Sequence, residues 1–177
     1  MAEAALPSAT TVQRLNTLDE AEARAQFERC CGARRWVEGM LGRRPFASAS
    51  ELVEQAESVW ASLQASDYLE AFSHHPEIGQ NLDELRRKFQ HTADWSQAEQ
   101  AGTEDASEAV LLALRDQNRA YRARFGYTFI ICATGKRADE MLAALERRLQ
   151  NSAEVELEIA AAEQAKITRL RLEKLVL

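Results

Sequence analysis

The chain has 177 residues, of which 46% are hydrophobic and 28% charged, with a formal net charge of −6. That length suits one domain with a sizeable core. The acidic balance argues against nucleic acid as a general partner, because a polyanion needs a basic face, and no apolar run approaches the length of a membrane span. With only 7 Gly and 3 Pro among abundant Ala, Leu, Glu, Arg and Gln, the composition predicts an all-α fold.

Residues 1–14 read as a disordered leader, because Met1 to Thr11 is small and polar with neither a basic start nor a long apolar core. A helical domain is expected over 15–177. Thr17-Leu18-Asp19-Glu20 has the form of a capping box, so a helix should follow to about Cys31 and close at Gly32. A short helix should carry Trp36, Val37, Met40 and Leu41 and end at Gly42. Ser48-Ala49-Ser50-Glu51 caps the next, whose stripe is Leu52, Ala56, Val59, Trp60 and Leu63. Asp67 to Phe72 makes a short helix, and Leu82, Leu85 and Phe89 mark another. His91 to Gly102 reads as a polar connection around Trp95, and a long helix should run from Thr103 to Phe125 before Gly126 stops it.

Tyr127 to Cys132 is β-branched and aromatic with no helical period. It predicts an extended, buried segment (about 127–133) whose backbone groups need partners other than a helix ladder. Lys136 to Leu149 should be amphipathic. The last helix, from Ala153 to Val176, is apolar on more than one face, as expected of a central or interfacial helix. The expectation is a single-domain bundle of about eight helices. Arg34-Arg35, Arg43-Arg44, Arg86-Arg87-Lys88 and Arg147-Arg148 have acids nearby and read as solvated helix faces.

Three places carry possible chemistry. In Ser73-His74-His75-Pro76-Glu77-Ile78-Gly79, Pro76 pushes His75 out of the α region, and an imidazole titrates near neutral pH. The motif fits either an ordinary helix stop or a proton donor. Ser96-Gln97-Ala98-Glu99-Gln100 is a capping box in form, yet Glu99 and Gln100 also match ureido and lactam N–H groups. Arg171 lies between Ile167 and Leu175 on an apolar flank, where a guanidinium needs an anionic or carbonyl partner, whereas Arg169 faces Glu173 as a surface ion pair. Cys30, Cys31 and Cys132 form no disulfide framework and suggest a reducing, cytoplasmic setting. The spacing of His74, His75 and His91 matches no standard metal site.

Taken in order, four stretches resemble the 2-oxo-4-hydroxy-4-carboxy-5-ureidoimidazoline (OHCU) decarboxylase family, whose reaction ends urate breakdown at (S)-allantoin. They are His75-Pro76-Glu77-Ile78-Gly79, Trp95 to Gly102, Phe125 to Lys136, and Lys166-Ile167-Thr168-Arg169-Leu170-Arg171-Leu172. The resemblance implies an all-α, cofactor-free homodimer acting on a small molecule, with no metal. It implies His75 as catalytic proton donor, with Glu99 and Arg171 in the same pocket. Substrate contacts would come from Pro76, from Ser96, Gln97, Ala98, Glu99 and Gln100, and from Phe129, Ile130, Ile131, Cys132 and Ala133. A non-catalytic helical interaction protein and a lyase for a related ureido or lactam compound are the alternatives.

Overall fold

The structure, a computed structural model, describes residues 7–76, residue 83 and residues 100–175, with the side chains of 100–107 left aside. Among the described residues there are eight helices and no strand. They are α1 (Ala9–Thr17), α2 (Glu20–Cys30), α3 (Arg34–Leu41), α4 (Ala49–Ala61), α5 (Ala65–Ser73), α6 (Gln100–Phe125), α7 (Ala138–Arg148) and α8 (Ala153–Glu173). The chain divides into two compact units, Met1–His74 with Ala161–Leu177, and His75–Ala160.

The first unit contains α1 to α5 and the second half of α8. Leu15, Phe27, Trp36, Met40, Leu52 and Phe72 are fully buried in it. Its aromatic nitrogens are satisfied inside: the Trp36 indole donates to the Ala56 carbonyl and the Trp60 indole to the Ala161 carbonyl, both at 3.1 Å. Buried indole N–H groups left without an acceptor would be costly.

Two expectations at this end are corrected. The stretch read as a leader carries α1 from Ala9 onward, with Thr11, Val12 and Leu15 buried. Ser8 Oγ caps it by accepting from the Thr11 N–H at 3.0 Å. The second correction is the capping box. Asp19 accepts from the Glu22 N–H at 2.8 Å and Glu22 answers from the Asp19 N–H at 3.2 Å, because Thr17 is spent on closing α1 by donating to the Arg14 carbonyl.

The second unit contains α6, α7 and the first half of α8 around Leu114, Tyr121, Phe129, Ile131, Met141 and Leu145. α6 starts at Gln100 rather than Thr103. Gln100 and Ala101 are good helix formers, and the local cost of Gly102 is absorbed by a helix of 26 residues. Gly126, at φ +83°, ends α6 in a conformation that side chains resist. The expected helix on Leu82, Leu85 and Phe89 lies outside the described residues.

In α8 five buried positions recur every fourth residue, at Glu156, Ala160, Gln164, Thr168 and Leu172, and Ala161 is buried beside them. Three of the five are polar, whereas Val155 is 47% exposed and Ile159, Ile167 and Leu170 are half-buried. Gln164 donates to the Thr168 hydroxyl at 3.1 Å one turn on, so two of these polar groups satisfy each other inside.

Candidate active site

α5 is built to place a histidine at its end. Two ion pairs tie it to α3: Arg34 Nε to Glu70 at 2.8 Å and Arg35 to Asp67 at 3.2 Å. Asp67 also accepts from the Gln64 N–H at 2.9 Å, which closes the first turn. The helix ends at Ser73, and His74 is its cap residue at φ −84°, ψ −1°. His75 therefore stands just outside the helix and half-buried, followed by an exposed Pro76, as the restriction before proline requires.

The imidazole of His74 packs on Gly32. A Cβ added there would lie 2.5 Å from His74 Cδ2 and 2.9 Å from its Cβ. Two residues earlier, the Cys30 carbonyl accepts from Arg171 Nη1 at 3.2 Å. The α2–α3 junction thus receives both the neighbour of His75 and Arg171, a half-buried guanidinium with the carbonyl partner its flank position demands. Arg169 is instead paired with Glu57 at 2.8 Å and Glu173 at 3.2 Å. Burial pushes the Cys30 thiol up to about 12, against an opposing pull from Arg171, and the Cys31 thiol up to about 11.

The segment after α6 is neither helix nor strand. Phe129, Ile130 and Ile131 are buried, and Cys132 and Ala133 half-buried. Among the described residues no acceptor pairs with the backbone N–H of Phe129, Ile130 or Ile131. Buried N–H groups rarely stay unpaired, so this segment has donors to offer a ligand.

Its opposite side is fixed. Arg148 Nη1 donates to the Ile130 carbonyl at 2.7 Å, and the guanidinium lies 4.5 Å from the centroid of the Phe129 ring. Arg148 Nε donates to Glu156 at 2.8 Å. Glu156, fully buried, also accepts from the Tyr121 hydroxyl and from Asn151 Nδ2 at 2.9 Å. Tyr121 meets Phe129 edge-on at 5.1 Å. Burial, and then the bond to Glu156, raise the phenol pKa of Tyr121 well above its ordinary value, so it stays a donor.

This corrects the reading of Arg147-Arg148 as a solvated face: Arg147 is exposed and Arg148 is only 8% exposed. The signal was present, since Arg148 follows Met141 and Leu145 at helical spacing on the inward face of α7. Glu156 and Tyr121 were missed as well, because a buried carboxylate shows only once its partners are known. Ser96, Gln97, Ala98 and Glu99 lie outside the described residues; Gln100 is the first residue of α6, and its side chain is not described.

The described residues give an all-helical scaffold with a histidine just past the end of α5, and a buried non-helical segment whose N–H groups at Phe129, Ile130 and Ile131 have no acceptor among those residues. The chain belongs to the OHCU decarboxylase family, whose model matches residues 16–173. It is 29% identical over 165 residues to the 2-oxo-4-hydroxy-4-carboxy-5-ureidoimidazoline decarboxylase of Haloferax volcanii, covering 92% of this chain and 94% of that protein. It is 39% identical over 152 residues to the uric acid degradation bifunctional protein TTL of Arabidopsis thaliana, covering 85% of this chain but only 46% of that longer protein. Among solved structures, an OHCU decarboxylase crystallised in the presence of (S)-allantoin superimposes with a TM-score of 0.68 at 33% identity, over 89% of this chain and 97% of that one.

Proposed function

We propose that the protein is a carboxy-lyase that converts 2-oxo-4-hydroxy-4-carboxy-5-ureidoimidazoline to (S)-allantoin and carbon dioxide, without a cofactor, in urate degradation. The observation that carries this reading is one family match over residues 16–173, a range that includes the His-Pro element, the segment at 129–133 and Arg171. The half-buried apolar residues of α8 support a homodimer. The absence of a membrane-spanning helix among the described residues and the free cysteines are consistent with a cytoplasmic setting.

The chemistry fits those residue types. The carboxylate leaves as carbon dioxide, and the electron pair of the broken C–C bond passes into adjoining C=N and C=O groups. Backbone N–H donors of 129–133 aimed at those groups stabilise the developing charge. A proton from the His75 imidazolium then closes the ring carbon on one face, which sets the (S) configuration. Pro76 holds His75 in place for that step. Arg171 grips an anionic or carbonyl edge of the substrate, and Glu99 either keeps His75 charged or takes ureido N–H groups, as do Ser96 to Gln100.

The test makes the unstable substrate in place, with urate oxidase and hydroxyisourate hydrolase acting on urate, and follows optically active allantoin by circular dichroism. The expected outcome is fast appearance of the (S) enantiomer, abolished in a folded His75→Ala variant. Racemic allantoin at the spontaneous rate from a folded wild-type sample would sink the decarboxylase reading. Normal turnover in His75→Ala would remove its role as proton donor.

A further inference from the structure

Arg148 is not among the residues proposed to contact the substrate, and it still bears on how the segment at 129–133 presents its donors. Its fork is divided between the Ile130 carbonyl at 2.7 Å and the Glu156 carboxylate at 2.8 Å. Its flat face covers Phe129. Glu156 is held in turn from α6 by Tyr121 and from the α7–α8 turn by Asn151. The clamp is therefore anchored on three sides, and it reaches the segment through one backbone carbonyl and one ring.

A peptide unit is planar and trans, so its C=O and its N–H point in opposite directions. The Ile130 carbonyl and the Ile131 N–H belong to one such unit. Fixing the carbonyl on Arg148 turns the Ile131 N–H the other way, and no acceptor among the described residues takes it. A cation on the carbonyl also polarises the peptide, and a polarised peptide is a stronger donor at its other end.

We propose that Arg148, held by Glu156 and Tyr121, is a positioning residue that orients and strengthens the Ile131 N–H as a donor to the substrate. The proposal rests on the reading that 129–133 faces the substrate. Lysine in place of Arg148 keeps the charge but lacks the planar fork that serves carbonyl and carboxylate together.

The test reads Arg148→Lys in two ways, with Tyr121→Phe as a second variant that removes one hydroxyl and serves alone if the lysine variant does not fold. Residue-resolved amide exchange should rise about tenfold at Ile131, the size expected for losing one charge-assisted hydrogen bond, while Leu114 and Leu145 keep their wild-type protection. In the coupled assay kcat/KM should fall by about the same factor, with the loss in kcat, as for a contact that tightens in the transition state. A uniform rise in exchange assigns Arg148 a general structural role and overturns the proposal. So does local loosening with unchanged kcat/KM, or no change in either readout. A wild-type protein that fails to accelerate the reaction sinks the decarboxylase reading instead, and the exchange pattern alone then decides whether Arg148 clamps the segment.

Discussion

Gly32 has no side chain, and the space one would need is taken by His74. An alanine Cβ would sit 2.9 Å from the His74 Cβ, as well as against its ring. Rotating the ring relieves the second contact and leaves the first, so the end of α5 has to shift. Gly32→Ala should therefore cost about 1–3 kcal/mol, the usual range for overpacking, and it should lower decarboxylation by moving His75. The cost is specific to one contact. In a His74→Gly background, which removes that Cβ as well as the ring, the same substitution should cost much less in urea denaturation, because residues in direct contact are not additive. Equal costs in the two backgrounds would mean that Gly32 is needed for some other reason. Which of two adjacent histidines precedes the proline is legible from the letters alone; that the first of them is a packing group on α2–α3 is not, since 42 positions separate Gly32 from His74 (74 − 32).

At the scale of elements, the α2–α3 junction buries two thiols and donates the Cys30 carbonyl to Arg171. Both thiols ionise later in the folded protein, at about 12 for Cys30 and about 11 for Cys31, than the ordinary 9.0 of an unfolded chain. Their folded values are raised, so their contribution to stability is fully present below pH 9 and is lost as pH climbs toward 11 and 12. Chemical denaturation at about pH 8 and about pH 11 should show that loss, and a Cys30→Ala, Cys31→Ala protein should show less of it. The remainder belongs partly to Tyr121, which is raised in the same sense. An unchanged slope in the double variant would remove the thiols from the account. The helices themselves were largely legible: the stripes of α3 and α4 follow the 3.6-residue period, and Gly42 and Gly126 stand at the ends of α3 and α6. What misled was chemistry that serves two purposes. Thr17 fits a helix start by spacing and closes the previous helix in fact. Glu156, Gln164 and Thr168 look like the wet side of α8 and form part of its dry side, because partners from α6, α7 and α8 itself satisfy them. Periodicity weighs apolar residues and has no means of pairing distant polar ones.

At the scale of the whole molecule, α8 presents apolar surface: Val155 is 47% exposed, and Ile159, Ile167 and Leu170 are half-buried. Apolar residues along a helix favour burial against a second copy, and closed pairs are the commonest assembly of soluble proteins. Each chain also carries a net charge of −6, so two copies approach against like charge. Salt screens that repulsion over about 8–10 Å near physiological ionic strength and leaves the hydrophobic attraction in place. The proposed homodimer should therefore tighten as salt rises. Sedimentation at micromolar protein is the measurement, with the 19.9 kDa chain compared at about 0.02 M and about 0.15 M salt, conditions that differ roughly threefold in screening length. A dimer fraction that grows with salt supports an apolar contact formed against net repulsion. A fraction that falls with salt would mean that ion pairs, and not the apolar residues of α8, hold the copies together. A monomer at both salts would leave the homodimer without support, and Val155→Asp would then be without effect on assembly or turnover. If α8 forms the contact, Val155→Asp should lower the dimer fraction at both salts and leave the helix content unchanged by far-ultraviolet circular dichroism.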